Sequence, residues 1–278
     1  PPFLCRFWGL SLNYNWNWLV FFDLEPGATG TYLSYLFGGL GWTVIAALAS
    51  WILALSLGTL VGVLRTLGNP VLEKVCFVYV ELFRNVPVLL QLLIWYVLLV
   101  EFMPDSQSPL HFNDWFFLSK NGFSFPVPVW DSAAHGLVWD VPLWLDGEIN
   151  EGISLTPEFL AITLGLSFYT SAFVAEVVRA GIVSVPRGQL EAAKSIGLSN
   201  WQTTRQVLLP QAMRVIIPPL TNQYLNLTKN SSLAVAIGYP DLVSISNTAL
   251  NQTGRAVECI ALIMAVYLCL SLVTSALM

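Results

Sequence analysis

Charged residues are scarce in this chain of 278 residues, of which only 10% are Asp, Glu, Lys or Arg and 55% are hydrophobic. The mean hydropathy is +0.66. Soluble domains usually carry about 25% charged residues, so this composition excludes water as the main solvent of the chain. The composition therefore predicts a membrane protein.

The sequence also lacks the short motifs of nucleotide hydrolysis and covalent catalysis. It has no glycine-rich phosphate loop followed by Lys-Ser/Thr, no His-Glu-x-x-His and no Gly-x-Ser-x-Gly. The polar groups within its apolar segments include no metal cluster and no nucleophile with an adjacent base, which disfavours a membrane-embedded enzyme. Any energy source must therefore be on another subunit.

Cysteine and histidine are too few and too scattered to indicate a disulfide framework or a metal site. The cysteines are Cys5, Cys76, Cys259 and Cys269. They have no paired spacing and are typical of small buried hydrophobic residues. The two histidines, His111 and His135, are far apart and lack a ligand-like cluster. We predict neither a metal site nor a cofactor in this chain.

Five apolar segments are long enough, at about 20 residues each, to cross a hydrocarbon core of about 30 Å. They lie near 39–64, 75–103, 158–182, 207–234 and 257–278. The predicted fold is an all-α membrane protein with five transmembrane helices. We expect an external N-terminal segment over 1–37 and a transmembrane domain over 38–278.

The distribution of basic residues predicts the orientation of these spans. Lys120 is the only basic residue between Glu101 and Glu158. Seven others lie beside the apolar runs, namely Arg65, Lys74, Arg179, Arg187, Lys194, Arg205 and Arg214. By the positive-inside rule, the loops at 65–74 and 187–205 are cytoplasmic, which places the N-terminus outside and the C-terminus inside. The acidic insert at 104–156 is then external. The formal net charge of -5 would by itself argue against anionic partners, but in a membrane protein the distribution of charge matters more than its sum. We expect no nucleic-acid partner.

The N-terminus has no recognisable targeting signal. Pro1-Pro2-Phe3 has neither an initiator Met nor a basic region of the kind that opens a signal peptide. We expect the chain to be incomplete at both ends.

A polar stretch between two apolar spans predicts a helix-turn-helix outside the bilayer. Gly188 to Ile196 consists of good helix formers, and Gly197 stands where a left-handed residue would end the helix. Ser199 and Gln202 have the spacing of a capping box for a second helix. Pro210 predicts a break before the next apolar run.

Small residues on the first span predict a close helix contact. Gly58-x-x-x-Gly62, with Ala54 one step earlier, forms a face that would let another helix approach. The sequence does not identify the partner helix.

The second span carries charged and amide side chains around Pro87. Glu81 and Arg84 are three residues apart and can partly neutralise one another. Two interpretations stay open. In one, the pair only precedes a proline kink at the interface; in the other, Arg84, Asn85 or Gln91 contacts a substrate.

Glu176 and Arg179 repeat the same spacing at the end of the third span. Two interpretations stay open. Glu176 and Arg179 pair with each other within one helix, or they pair crosswise with Glu81 and Arg84 of the second span.

The fourth span is too polar for a helix that faces lipid. Asn222, Asn226 and Asn230 recur every four residues, and Asn222 and Asn226 share one helical face with Lys229. These side chains either line a pathway or form hydrogen bonds between helices. Pro218-Pro219 is expected to interrupt this span. The segment at 231–255 is expected to form an external re-entrant or interfacial element.

The external insert is rich in tryptophan, with Trp115, Trp130, Trp139 and Trp144 among acidic residues and prolines. Tryptophan suits the membrane interface. The insert could also help to receive a soluble partner.

The helix-turn-helix resembles the EAA loop of ABC-importer permease subunits. The likeness rests on Glu191-Ala192-Ala193, on Gly197, and on Val207-x-Leu209-Pro210, in which Val207 stands where Ile is usual. The stretch from Tyr79 to Pro87 resembles the second helix of polar amino-acid permeases. Further segments resemble glutamate/aspartate importer permeases, namely 15–18, 29–33, 62–67, 184–189 and 227–231.

This resemblance implies an importer that depends on a binding protein and on ATP. The chain would be one permease subunit in the bacterial inner membrane, with a second, related or identical permease subunit, a dimer of cytoplasmic ATPases that hold ATP and Mg, and a periplasmic solute-binding protein. The loop at 186–210 would dock on the ATPase. The implied cargo is glutamate or aspartate. Other polar amino acids such as glutamine, arginine or histidine, and an ATP-independent secondary transporter, are the alternatives.

An acidic cargo needs cations or helix N-termini along its pathway, and Arg84, Lys229 and Arg255 are the available cations. The candidate pathway residues are Glu81, Arg84, Asn85, Gln91, Glu176, Arg179, Asn222, Asn226, Lys229, Asn230 and Arg255.

Overall fold

The computed structural model describes residues 14–25, 30–113, 115–131, 136–145 and 148–277. The predictions made for Cys5 and His135 lie outside these residues. The α-helices are α1 (Tyr32–Leu64), α2 (Pro70–Asn85), α3 (Val88–Phe102), α4 (Pro157–Val183), α5 (Arg187–Ser195), α6 (Asn200–Thr203), α7 (Leu209–Asn230), α8 (Leu242–Thr253) and α9 (Ala256–Leu277). Short 3₁₀ helices cover Trp18–Phe22 and Ser231–Ile237.

Helices α1, α4 and α9 are each long and apolar enough to cross a membrane, and they coincide with the predicted first, third and fifth spans. Two bent helix pairs also qualify when each pair is taken together. One is α2 with α3, and the other joins the helix over 200–237 to α8. The described part of the chain thus holds three spans, or up to five if each bent pair counts as one.

The small-residue face of α1 packs against α4, which confirms the predicted close contact and identifies the partner helix. A Cβ atom added at Gly58 would lie 2.6 Å from Cβ of Val174, and one at Gly62 would lie 2.7 Å from the carbonyl oxygen of Ala175. Ala54 is fully buried. No side chain larger than hydrogen fits at either glycine without moving the helices apart.

The predicted second span, 75–103, is a broken pair and not a continuous helix. Helices α2 and α3 meet at an angle of 104°. Val86 is extended, with φ −90° and ψ 129°, because the residue before a proline is driven out of the helical region. The amide of Gln91 donates to the carbonyl oxygens of Phe83 and Val86 at 2.8 and 2.9 Å. It thereby satisfies carbonyls that the break removes from the helical ladder.

The break predicted at Pro210 is wrong, because a π-helical turn over Thr204–Leu208 joins α6 directly to α7. The N–H of Leu209 donates to the carbonyl of Thr204, five residues back. Pro210, which has no N–H to donate, falls in the first turn of α7, where a helix tolerates proline.

The interruption predicted at Pro218-Pro219 is also wrong. Both prolines lie inside α7, which runs on through them to Asn230. Prolines are tolerated within transmembrane helices because neighbouring groups and small backbone adjustments accommodate the freed carbonyls. Beyond α7, the 3₁₀ helix ends at left-handed Gly238 (φ +78°), and α8 departs at 52° to the preceding helix. A bent pair of this kind is a broken span or a re-entrant loop.

The insert is built of β-strands, so the all-α prediction is wrong for this part of the chain. The strands are β1 (Leu110–Phe112), β2 (Phe116–Ser119), β3 (Gly122–Phe125), β4 (Val127–Asp131), β5 (Gly136–Asp140), β6 (Leu143–Leu145), β7 (Glu148–Asn150) and β8 (Ile153–Leu155). An antiparallel sheet has the order β1-β2-β3-β8, and β4-β5 and β6-β7 are separate hairpins. Aromatic and β-branched residues favour strands, and they are frequent in this insert.

The insert and the helix-turn-helix lie at opposite ends of α4. The last strand, β8, leads into α4 through Thr156, whose hydroxyl accepts the N–H of Phe159. At the other end, Ser184–Pro186 connects α4 to α5. A straight helix of 27 residues is about 40 Å long, which exceeds the hydrocarbon thickness of a bilayer.

Candidate functional site

A cluster of three arginines surrounds the carboxylate of Glu176 on α4. Arg65, at the end of α1, donates to one carboxylate oxygen, and Arg179 donates to the other at 3.2 Å. Nη1 of Arg84, on α2, lies 4.0 Å from Glu176. The structure thus contains both the intrahelical contact and a crosswise contact. Glu81 accepts a hydrogen bond from Asn85 at 2.8 Å, and among the described ion pairs it has none with Arg84.

Arg65 is the member of this cluster that sequence reasoning missed as a site residue. Its side chain is only 7% exposed, and its guanidinium carbon lies 5.9 Å from the centre of the Phe77 ring. One signal in the sequence could have identified Arg65 as a site residue: it lies in the segment 62–67, which carries part of the family resemblance. Three guanidinium groups against one carboxylate leave the cluster positive, and its members tie α1, α2 and α4 together.

A polar cavity of about 300 Å³ lies between α4 and α7. Its lining residues are Tyr169, Thr170, Phe173, Gln223, Asn226, Lys229 and Asn230. The face predicted on the fourth span is therefore turned to a cavity at Asn226, Lys229 and Asn230, whereas Asn222 does not line it. Lys229 is the one charged side chain among these described lining residues.

Two lining residues of this cavity, Lys229 and Phe173, also adjoin neighbouring groups. Lys229 also lines a second cavity of about 560 Å³, together with Met264 and Tyr267 of α9. The guanidinium of Arg84 lies 5.5 Å from the centre of the Phe173 ring. Two cationic groups are therefore close to this region: Lys229 lines the cavity, and Arg84 contacts the ring of Phe173, which also lines it.

The other predicted pathway residues have contacts elsewhere. Gln91 is 5% exposed, and its amide donates to backbone carbonyls at the break between α2 and α3. Arg255, before α9, donates to the backbone carbonyl of Asn15 at 2.8 Å. None of Glu81, Asn85, Gln91 and Arg255 lines the cavity between α4 and α7.

Arg255 belongs to a contact between the N-terminal segment and the start of α9. Glu258 is fully buried and accepts the N–H of Asn17 at 2.9 Å and the phenol of Tyr14. That hydrogen bond, which Glu258 accepts, raises the pKa of the Tyr14 phenol. These contacts fix the segment that precedes α1.

The helix-turn-helix has the local structure that its sequence predicts. The N–H groups of Gly197 and Leu198 donate to the carbonyls of Lys194 and Ala193 at 3.0 and 3.2 Å, which is the Schellman pattern. Gly197 has φ +89°, a conformation that favours glycine. Ser199 and Gln202 form the predicted capping box.

The same helix-turn-helix exposes large apolar side chains. Ile196 is 79% exposed, Trp201 70% and Leu209 50%, although α5 itself is polar. Within the Glu191-Ala192-Ala193 motif, only Ala193 is buried. Exposed apolar side chains grouped on a polar element are typical of a surface that binds another protein.

Apolar helices long enough to cross a membrane, a polar cavity between two of the helices and an exposed helix-turn-helix are features of a membrane transport protein. Residues 54–278 match the family described as "Binding-protein-dependent transport system inner membrane component". The chain belongs to this family, and the resemblance to ABC-importer permeases is confirmed. Permease subunits of such transporters are not themselves enzymes.

Three relatives share much of their length with this chain. The putative amino-acid ABC transporter permease protein YhdX of Escherichia coli is 41% identical, over 92% of this chain and 79% of the relative. The general L-amino acid transport system permease protein AapQ of Rhizobium johnstonii is 37% identical, over 88% and 75%. The glutamate/aspartate import permease protein GltJ of Escherichia coli is 33% identical, over 92% and 89%.

A solved structure has the same fold. It is the crystal structure of an amino acid ABC transporter with histidines, and it is 26% identical to this chain. The similarity covers 88% of this chain and 92% of the solved chain, with a TM-score of 0.64.

Proposed function

We propose that this chain is the permease subunit of an ABC importer that moves amino acids, in particular glutamate or aspartate, across the bacterial inner membrane. The observation that carries the choice of cargo is the charge of the cavity between α4 and α7. Its described lining includes Lys229 and no Asp or Glu. The relatives named above support amino acids as the cargo, and one of them is named for glutamate and aspartate.

The chemistry of the cavity suits an amino acid with a second carboxylate. Lys229 supplies a positive charge that can pair with a carboxylate. Gln223, Asn226 and Asn230 supply amide groups that both donate and accept hydrogen bonds. Removal of an acidic cargo from water is favourable only where such partners replace its hydration.

We infer five membrane crossings, in which each bent helix pair counts as one, with the N-terminus and the insert outside. The C-terminus and the helix-turn-helix would be cytoplasmic. This arrangement is supported by the placement of the insert and α5 at opposite ends of α4. It is also supported by the single basic residue, Lys120, within the insert.

The segment 186–210 would dock on the cytoplasmic ATPase, with Glu191, Ala192, Ala193, Gly197, Leu209 and Pro210 as its coupling residues. The exposed side chains of Ile196 and Trp201 support this role. The helix runs from Asn200 to Ile237 without a break, so movement of α6 would reach Lys229 along one rigid element. ATP and Mg would be held by the ATPase dimer, and a second permease subunit would complete the membrane unit.

A broader amino-acid range is the second candidate, because a relative with 37% identity is named for general L-amino acid transport. The two candidates differ in what Lys229 does. In a broad-range importer, the binding protein alone would select the cargo, and Lys229 would not discriminate between acidic and neutral amino acids.

Uptake of labelled glutamate, aspartate, glutamine and arginine into vesicles that hold the reconstituted complex distinguishes these candidates. We expect Lys229→Met to lower glutamate uptake roughly tenfold or more, since a hydrogen bond to a charged group contributes about 1.5–3 kcal/mol. Glutamine uptake should change little. Lys74→Met, on the exposed start of α2, is the control. Equal effects of Lys229→Met on glutamate and glutamine would contradict the acidic cargo.

A further inference from the structure

The external insert contains the largest of the cavities described here, with a volume of about 820 Å³. Its lining includes residues of β1, β2, β5 and β6, and none of the residues that line the cavity between α4 and α7. Aromatic and acidic side chains share its lining, among them His111, Phe117, Trp139, Asp140, Trp144 and Glu151. Neither the family description nor the proposed transport pathway accounts for this cavity.

The aromatic walls of the cavity are held in place by local contacts. The indole N–H of Trp144 donates to the carbonyl of Ser106 at 3.2 Å. The ring of Trp139 lies 6.1 Å from that of Trp115. Tryptophan faces attract cations, and fixed rings keep this attraction without a large loss of side-chain freedom on binding.

Two acidic residues, Asp140 and Glu151, line the same cavity as these aromatic residues. A guanidinium or ammonium group can pair with a carboxylate while it stacks on an aromatic face. The described lining includes no Lys or Arg that would neutralise the two acids from within. The chemistry of the cavity therefore fits a long basic side chain.

The charge of the whole insert favours a protein partner over a membrane surface. Residues 104–156 contain seven Asp and Glu residues but only one basic residue, Lys120. Such a segment is repelled by anionic lipid headgroups and attracts a basic protein surface. Trp130 and Trp139, which are 65% and 56% exposed, add the aromatic area that is enriched at protein interfaces.

We propose that this cavity receives a Lys or Arg side chain from the soluble binding protein and so docks that protein on the permease. The inference rests on the proposed function, which supplies both the binding protein and the external position of the insert. The cavity lies at the end of α4 opposite the helix-turn-helix. Binding-protein and ATPase contacts would then act on the two ends of one helix.

Vesicles that hold the complete importer test this proposal through the concentration of binding protein that gives half-maximal uptake. The probe is the binding protein whose addition supports ATP-dependent glutamate uptake in the same vesicles. We expect Asp140→Asn and Glu151→Gln each to raise that concentration about threefold to tenfold, with the maximal rate unchanged. In both variants, the half-maximal concentration of binding protein should also depend less on the salt concentration.

Asp105→Asn is the matched control, because Asp105 is an exposed acid of the same insert that does not line the cavity. Trp139→Leu removes a wall without a change of charge and should also raise the half-maximal concentration. If uptake by the unaltered importer needs ATP and binding protein, but the cavity variants match Asp105→Asn, the docking proposal is wrong and the proposed function stands. Uptake that needs neither would instead overturn the proposed function.

Discussion

Replacement of Glu176 by glutamine should destabilise the protein, because Glu176 is the one anion in the described part of the chain that pairs with Arg65, Arg84 and Arg179. The variant keeps the shape of the side chain and removes its charge. Three guanidinium groups would then face each other at the junction of α1, α2 and α4 without a described counter-ion.

The structure sets the size of this effect. An unpaired, fully buried charge costs about 3–5 kcal/mol, and the Arg65 side chain is 7% exposed. Glu176 is 25% exposed and Arg84 and Arg179 are each 39% exposed, so solvent reduces the cost. We expect Glu176→Gln to lower the free energy of unfolding by about 2–3 kcal/mol. Arg84→Gln loses the 4.0 Å contact with Glu176 and the contact with the Phe173 ring, both partly exposed, and should cost about 1 kcal/mol.

A double-mutant cycle in mixed micelles, with SDS titration as the unfolding assay, measures these terms. The coupling energy between Arg65 and Glu176 should be about 1.5–3 kcal/mol, and that between Arg84 and Glu176 below about 0.5 kcal/mol. Glu158→Gln, at the other end of α4, is the control. Equal coupling of Glu176 to both arginines, or a Glu176→Gln variant as stable as the control, would refute the reasoning.

Three further substitutions follow from single contacts. Gly58→Ala should lower stability by about 1–3 kcal/mol, because its Cβ would overlap α4; Gly41→Ala, which meets nothing within 4 Å, is the control in the same unfolding assay. Gln91→Leu should cost about 1–3 kcal/mol, because two carbonyls at the helix break lose their donor. Glu258→Ala should free the N-terminal segment, seen as faster hydrogen exchange over Asn17 to Phe22; unchanged exchange would contradict the contact.

Local sequence signals predicted the helix ends that depend on one or two residues. The left-handed turn at Gly197 and the capping box at Ser199 follow from side-chain chemistry within four residues. The long apolar helices α1, α4 and α9 follow from composition. Proline was a misleading signal at Pro210 and Pro218, which lie within continuous helix, whereas Pro87 accompanies the break between α2 and α3.

Features that depend on distant residues could not be predicted in the same way. Arg65 and Glu176 are 111 residues apart, and nothing local to Arg65 identifies its partner. Asn222 and Asn226 share a helical face in projection, yet the position of α4 decides which of them meets the cavity. The strands of the insert were missed because its prolines and charges are also typical of an irregular loop.

The central claim is that ATP drives uptake through the helix-turn-helix, and its most direct test is ATP-dependent glutamate uptake by Gly197→Asp. Gly197 has φ +89°, so aspartate there strains the turn, whereas Gly188→Asp adds the same side chain near the start of α5, where a negative charge is favourable. We predict ATP-dependent uptake that requires binding protein, that Gly197→Asp abolishes and that Gly188→Asp largely retains. Uptake that proceeds without ATP and survives Gly197→Asp would contradict the account.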